Sequence, residues 1–494
     1  MSAARGGAAR RAAGDGALAA LEVGMALEHE GAESAEGPLL VVRGVSGVGW
    51  DEMVTVRLAG GELRQGLVLE VEGDNAVVEV LQGTSGIDPA AVTVGFTGRP
   101  FDIPVGEGWL GRTWNGLGEP LDGGPPMLAP ERRPVSGAPL NPTLRDVPRD
   151  PIVTGVSAVD VLTTLVRGQK LPVFSVAGLP HLELAAQIAA QANVAGEPFK
   201  VVVAGLGLTH ADAAAIRRRL EERSGAGELA LFLDTADDPV VQRILTPRVA
   251  LTVAEYLAFD LGQHVLVVLG DMTNYCEALR EVSAARGEIP GRRAYPGYLY
   301  SDLASLYERC GRMHGKPGSV TLVPVLTMPG GDITHPVPDL TGYITEGQVV
   351  LSPRVAGEGV SPPVDVLGSL SRLMRQGTGR GRTREDHPAL AAQLVAAVAH
   401  ARDLRDLAEL VGTAALTDTD RAYLALDDAF GSDLLTQGQE DARSLDDSLA
   451  RAWRVVSLLP RRELTMLPPA DLDRYYEGAA EAAGEVAGEG AGDA

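Results

Sequence analysis

The sequence predicts an α/β domain with a mainly parallel sheet, preceded by a small β-barrel and followed by an α-helical domain. Three observations support this fold class. Short apolar runs broken by turn residues fill the first part of the chain, strand-length and helix-length segments alternate in the middle, and helical periodicity continues from Thr383 onward. Alternation of this kind is typical of a parallel sheet with helices on both faces.

The predicted β-barrel covers residues 38–107. Its strand-like runs are residues 54–58, 67–71 and 76–81. Residues 73–75, Gly-Asp-Asn, supply a hairpin turn between the last two runs. Residues 1–37 are rich in Ala, Gly and Glu without a steady period, so we expect a mobile N-terminal tail there. A Pro/Gly-rich connector follows the barrel over residues 116–151.

The predicted α/β domain covers residues 108–382. Its apolar strand candidates are residues 170–176, 199–205, 228–234, 264–271 and 319–328. Most are separated by helix-length segments, at residues 182–193, 211–223 and 239–261. The strands are apolar along their whole length, as expected when helices cover both faces of a sheet.

The predicted helical domain covers residues 383–475, with helix candidates at 388–411, 418–437 and 444–459. In residues 476–494, acidic side chains recur every four residues. Like charges at that spacing weaken a helix, so we expect an acidic mobile tail.

Composition narrows the function classes. The 494 residues include 43 Lys and Arg against 66 Asp and Glu, a net charge of −23. Phosphate binding depends on a cationic surface, so this balance argues against a general nucleic-acid or anionic-membrane binder. No apolar run is long enough for a membrane span. Cys276 and Cys310 lie far apart, and we expect reduced thiols in a soluble, cytosolic protein.

The first strand of the α/β domain leads into residues 175–182, where a phosphate-binding loop would read G-x-x-x-x-G-K-S/T. Ser175 and Pro180 occupy its two glycine positions, and proline has no N–H to offer a phosphate. His181 stands where a lysine would reach the β- and γ-phosphates, and Leu182 stands where a hydroxyl would hold Mg²⁺. Only Gly178 remains as a glycine in the middle of the loop. We therefore expect no nucleotide hydrolysis at this chain's own loop.

A carboxylate, Asp271, ends the strand predicted at residues 264–271. One interpretation is a remaining Walker B ligand for Mg²⁺. The other is an Asp that caps the helix that follows. The sequence leaves both open, and it contains no Cys/His cluster that would indicate a metal site.

The most specific segments of the chain are GVSAVD from Gly155, LVRGQKLPVF from Leu165, GLPH from Gly178, EALREVSAAR from Glu277, PGRR from Pro290, DITHPVPDLTGYITEGQ from Asp332 and LSRLM from Leu370. Together these segments resemble the B subunit of V/A-type rotary ATPases. The resemblance extends over residues 38–454. It implies a RecA-like central domain in a non-catalytic, regulatory subunit.

The resemblance also implies partners and location. Three such B subunits alternate with three catalytic A subunits in a ring around a central rotor stalk, with peripheral stalk subunits outside. ATP or ADP and Mg²⁺ are then expected at the interface with the catalytic subunit, and no cofactor in the chain's own loop. The chain would be cytoplasmic and would reach the membrane only through the rest of the complex, which transports H⁺ or Na⁺.

By the same resemblance, Arg372 is the arginine finger that the chain donates to the adjacent catalytic site. A guanidinium suits this task because it can bond two oxygens of the transferring phosphoryl group at once. Two other functions compete. The chain could be a ring scaffold with no part in the chemistry, or an autonomous RecA-like NTPase of the flagellar-export or transcription-terminator kind with an unusual loop.

Five further residues have two interpretations each. Arg286, Arg292 and Arg293 could line a subunit interface or face the central stalk, or they could form structural salt bridges. His335 is expected to be a hydrogen-bonded loop residue rather than a ligand. Tyr343 could pack against a nucleotide base in the adjacent site, but a core or interface tyrosine is the simpler interpretation.

Overall fold

A computed structural model of the chain describes residues 27–194, 197–411 and 416–478. Its first domain is an antiparallel sheet with the strand order β1-β7-β4-β5-β6-β3-β2. The strands are β1 (Leu27–Glu30), β2 (Ser34–Glu36), β3 (Leu39–Arg43), β4 (Glu52–Arg57), β5 (Leu63–Glu72), β6 (Asn75–Val80) and β7 (Thr93–Pro100). Alternate side chains, among them Val54, Val56 and Val94, are fully buried in its apolar interior.

The predicted hairpin is present between β5 and β6. Glu72 pairs with Asn75, so Gly73 and Asp74 form a two-residue turn. Gly73 has a φ of 64°, a left-handed conformation that glycine adopts without strain.

The boundary at residues 37/38 is wrong, because strands β1 and β2 belong to the sheet. Strand β1 pairs with β7, with Leu27 opposite Phe96. These two strands are short and partly exposed, so no apolar period reveals them in the sequence. The remaining residues predicted as tails, 1–26 and 479–494, lie outside the described residues. At the other boundary, Tyr476 donates a hydrogen bond to the Leu459 carbonyl, so it is attached to the helical domain.

The central domain is built on a second sheet of ten strands among the described residues, with the main order β21-β20-β14-β19-β17-β15-β16-β9. The strands from the connector onward are β8 (Asp102–Pro104), β9 (Arg112–Asn115), β10 (Arg132–Pro134), β11 (Arg145–Asp146), β12 (Pro151–Ile152), β13 (Leu165–Val166), β14 (Val173–Ser175), β15 (Phe199–Leu208), β16 (Leu229–Thr235), β17 (His264–Gly270), β18 (Gly311–Met313), β19 (Ser319–Thr327), β20 (Gly347–Val350) and β21 (Leu370–Ser371). From β20 to β9 every neighbouring pair is parallel, as predicted, and β21 is an antiparallel edge strand.

Helices cover both faces of this sheet. They are α1 (Ser157–Leu162), α2 (His181–Gln191), α3 (His210–Arg219), α4 (Glu221–Gly225), α5 (Val240–Glu255), α6 (Met272–Ala285), α7 (Leu299–Tyr307), α8 (Pro336–Ile344), α9 (Pro353–Gly357) and α10 (Met374–Gly377). The helix predicted at residues 239–261 ends in a π-helical turn, Tyr256–Asp260. Cys276 and Cys310 are free thiols, buried in this domain.

The third domain is helical, as predicted. Its helices are α11 (His387–Val411), α12 (Asp418–Ala429), α13 (Leu445–Val456) and α14 (Pro469–Tyr475). Helix α12 begins with a capping box, in which Thr417 and Asp420 bond each other's backbone N–H groups. No helix in the described part of the chain is long and apolar enough to cross a membrane.

Two apolar cores join the domains. One runs from the α2 face of the central sheet into the helical domain, where Leu394 and Trp453 belong to it. The other lies on the opposite face and reaches the barrel through Leu67 and Leu69. The central sheet therefore positions both neighbouring domains.

Candidate functional site

The degenerate phosphate loop lies between β14 and α2, at the carboxyl end of the parallel strands. Ser175 is buried, and its hydroxyl donates to the Val176 carbonyl at 3.2 Å. Gly178 is exposed with a φ of 90°, where any other residue would be strained. Pro180 is the last residue before helix α2, so the position that would supply a phosphate-binding N–H has none.

His181, at the position of the phosphate-loop lysine, is bonded within the protein. Its Nδ1–H donates to the Leu179 carbonyl at 2.8 Å, and its Nε2 lies 3.6 Å from Oδ2 of Asp271. Burial by itself lowers the pKa of His181. The nearby Asp271 carboxylate and the hydrogen bond to the Leu179 carbonyl more than offset burial, and the pKa is raised above 6.5. The imidazole therefore faces Asp271 inside the protein.

Asp271 caps helix α6, which is the second of the two sequence interpretations. Its Oδ1 accepts from the Thr273 and Thr327 N–H groups at 2.7 and 3.2 Å. Its Oδ2 accepts from the Thr327 hydroxyl at 2.8 Å and faces His181. An ionised carboxylate has about four lone-pair sites. Three of these sites on Asp271 are therefore used inside the protein.

Leu182, at the last loop position, is apolar and lies in apolar surroundings. Leu182 packs against the core that joins the central and helical domains. The nearby cavity, lined by Leu182, Val203 and Val268, measures about 20 Å³, room for a single water and far below a nucleotide. Among the described residues, no group of His, Cys, Asp and Glu side chains could hold a metal ion.

Arg372 follows β21 at the other end of the sheet. Strand β21 is antiparallel to β20, with Ser371 opposite Gly347 at the start of β20. Because β20 is parallel to β14, Arg372 lies at the amino end of these strands, whereas the loop lies at their carboxyl end. The Arg372 side chain is exposed, and its Nη1 donates to the Thr345 carbonyl at 3.1 Å. No carboxylate in the described ranges forms an ion pair with it.

The surface near Arg372 exposes apolar side chains. Leu370 precedes it by two residues and is 53% exposed, and Tyr343, on α8, is 74% exposed. The core interpretation of Tyr343 is therefore wrong. Exposed aromatic and aliphatic side chains are typical of a surface that contacts a partner or ligand.

The three arginines of the 286–293 segment all form ion pairs. The pairs are Arg286–Glu288 at 3.4 Å, Arg292–Asp339 at 3.2 Å and Arg293–Asp332 at 2.8 Å. The salt-bridge interpretation is therefore confirmed, and the interface role of Arg292 and Arg293, which remain about half exposed, stays a prediction. His335 is buried and caps α8 by accepting from the Val337 N–H at 3.4 Å, consistent with its prediction as a hydrogen-bonded residue.

Two residues of this site were not predicted, Thr273 and Thr327. The order of the strands could have indicated them. Thr327 ends β19 and Asp271 follows β17, and neighbouring parallel strands end at the same edge of a sheet.

Models of known families match all three domains. The ATP synthase alpha/beta family matches with its beta-barrel domain at residues 33–98 and its nucleotide-binding domain at residues 155–371. The C-terminal domain of V and A type ATP synthase matches residues 376–476.

Individual relatives agree with these matches. The chain is 54% identical to the B subunit of the A-type ATP synthase of Aeropyrum pernix, over 91% of this chain and 97% of that protein. It is 49% identical to a V-type ATP synthase beta chain of Clostridium tetani, over 90% of this chain and 98% of that protein. Among solved structures, an ATP synthase subunit of Nanoarcheaum equitans matches with a TM-score of 0.69 and 37% identity, over 86% of this chain and all of that one. With three domains and near full-length relatives in agreement, the chain belongs to the family of A-type and V-type ATP synthase B subunits.

Proposed function

We propose that this chain is the non-catalytic subunit of a rotary ATP synthase head and that it donates Arg372 to the active site of a neighbouring catalytic subunit. Three copies alternate with three catalytic A subunits around the central stalk. The head lies on the cytoplasmic side, where ATP synthesis or hydrolysis is coupled to ion transport through the membrane part of the complex.

The non-catalytic role is supported by the chemistry of the loop. The position of the lysine holds His181, whose Nε2 lies 3.6 Å from the Asp271 carboxylate. The position before the helix holds Pro180, and the position of the Mg²⁺ hydroxyl holds Leu182. Each substitution removes a group that holds phosphate or metal in phosphate-binding loops. Nucleotide and Mg²⁺ are therefore bound at the interface, on the loop of the catalytic neighbour.

One observation carries the donor role: Arg372 is exposed, its only side-chain bond among the described residues is to the Thr345 carbonyl, and it lies at the opposite end of the strands from the chain's own loop. It cannot serve its own loop from that end. It can serve a site on an adjoining subunit, where charge spreads over the phosphoryl oxygens in the transition state.

The test is the steady-state ATPase activity of the reconstituted head with Arg372→Ala. An arginine finger contributes roughly 10³–10⁵ in rate, or about 4–7 kcal/mol of barrier. We expect a loss of about three decades or more. Arg375→Ala, a nearby exposed arginine, is the matched control and is expected to retain activity.

Native gels are used to check that the wild-type, Arg372→Ala and Arg375→Ala heads assemble equally. Activity within a few-fold of wild type in an intact Arg372→Ala head would reject the donor role and favour the scaffold. Hydrolysis by the isolated chain would favour the autonomous NTPase instead.

A further inference from the structure

A cavity of about 400 Å³ lies between the barrel and the central domain, away from both sites described above. Strand β5 contributes Leu67 and Leu69 to its wall, helix α5 contributes Leu245, and helix α6 contributes Val282. Its volume is in the range of small-molecule sites, which are largely apolar with a few polar groups. Cavities at domain interfaces are frequent ligand sites.

Glu79, on β6, lines this cavity as a buried carboxylate. The residue is 1% exposed, and neither of its carboxylate oxygens has a hydrogen-bond partner among the described residues. Burial raises the pKa of Glu79 to about 7, against the opposing charge of Arg286. Buried carboxylates are rare unless they are paired, because an unpaired one costs several kcal/mol. An unpartnered carboxylate on a cavity wall points to a ligand that supplies the missing donor.

The other charges of the cavity leave an acidic surplus. Its lining includes five carboxylates and two arginines. Arg248 pairs with Asp302 at 2.8 Å, and Arg286 pairs with Glu288 at 3.4 Å. Each arginine therefore has a carboxylate partner of its own.

The three remaining carboxylates are Asp51, Glu70 and Glu79. A cavity with this surplus attracts a cation and repels a carboxylate or phosphate. Beside Asp51, Trp50 also lines the cavity and is 70% exposed. The face of an indole ring attracts an ammonium group.

We propose that this cavity binds a small organic cation, an ammonium group on an apolar body, with Glu79 as its counter-ion. The ammonium donates to the Glu79 oxygens, and the apolar body replaces water against the leucine and valine side chains. A bound molecule touches the barrel and the central domain together, so it stabilises their mutual position. This site is independent of Arg372 and of the degenerate loop.

Isothermal titration of the full chain at pH 8 tests this proposal, with hexylamine as the probe and hexanol as the neutral molecule of matched length. We expect hexylamine to bind at least tenfold more tightly than hexanol. Glu79→Gln removes the charge with little change of shape, and we expect it to abolish this preference. Glu72→Gln, at an exposed glutamate on β5, is the matched control and is expected to keep it.

A second variant, Val282→Trp, fills the cavity from α6, and we expect it to weaken binding of both molecules at least tenfold. Circular dichroism shows whether each variant is folded. A folded Glu79→Gln or a folded Val282→Trp is enough to test the proposal. The proposal is overturned if wild type binds neither molecule or shows no preference for the amine. It is also overturned if folded Glu79→Gln keeps the preference, or if folded Val282→Trp binds both molecules as wild type does.

Discussion

The degenerate loop and the edge strand β21, which Arg372 follows, belong to the same sheet. Their polar groups differ in how far they are bonded within the chain. At the loop, His181 and Asp271 face each other at 3.6 Å, and each forms hydrogen bonds with nearby backbone or threonine groups. At the edge, Arg372 is exposed, and its side chain has one hydrogen bond among the described residues, to the Thr345 carbonyl. Buried polar groups satisfied within one chain act as structure. A positioned but unpaired surface arginine is available to another molecule.

The largest effect is expected from Arg372→Lys in the reconstituted head. Lysine keeps the charge but lacks the planar fork that bonds two phosphoryl oxygens. We therefore expect the ATPase rate to fall at least about a hundredfold. The measurement is the steady-state rate of heads shown by native gel to be intact. A rate within tenfold of wild type would mean that charge alone suffices at the edge.

A smaller effect, a gain in nucleotide affinity, is expected from rebuilding the loop with Pro180→Gly, His181→Lys and Leu182→Thr together. These changes restore an N–H, an ammonium and a hydroxyl at the positions that hold phosphate and Mg²⁺. We expect the isolated chain to bind MgATP at least about tenfold more tightly than wild type in equilibrium titrations. His181→Lys alone is the control and should gain less, since Pro180 remains. If the wild-type chain bound MgATP as tightly as the triple variant, the loop would not be degenerate, and its contrast with Arg372 would be lost.

The next effect is a pH-dependent loss of stability in His181→Gln. The pKa of His181 is raised in the folded protein, so its protonated form stabilises the fold. That stabilisation is complete below the ordinary value of 6.5 and is lost as the pH rises through the folded pKa. We expect wild type to exceed the variant by about 1 kcal/mol at pH 5.5 and by less at pH 9, from urea unfolding.

His210→Gln is the matched control, because His210 forms an ion pair with Asp237 in which both side chains are largely exposed. We expect little change there at either pH. An equal loss at both pH values in His181→Gln would show that the charge of the imidazole does not stabilise the fold.

The smallest effect is expected from Arg292→Ala. The pair with Asp339 is exposed, and such pairs contribute little because water screens them and ordering the side chains costs entropy. We expect urea unfolding to show a loss below about 0.5 kcal/mol. A loss of unfolding free energy above about 1 kcal/mol would show that Arg292 stabilises the fold, as we expect of His181.

Much of the fold could be predicted from the sequence because the central strands are buried on both faces. Strands β15 and β17 read as continuous apolar runs and were predicted within three residues of their ends. The edge strands could not be predicted. Strand β1 is short and partly exposed, and β21 has two residues, so neither carries a period. Strand β21 positions Arg372, and its predicted role therefore rested on motif resemblance alone.

The sequence by itself determined the chemistry of the loop, because Pro180, His181 and Leu182 lack the necessary groups in any fold. Tertiary structure alone decided what the polar groups do instead. Parallel pairing of β17 with β19 brings Asp271 to Thr327, and parallel pairing of β14 with β19 brings His181 to the same edge of the sheet. Docking of the barrel on α5 and α6 leaves Glu79 buried, with no hydrogen-bond partner in the part of the chain that the structure describes. Such contacts arise between distant segments, and no local pattern of residues encodes them.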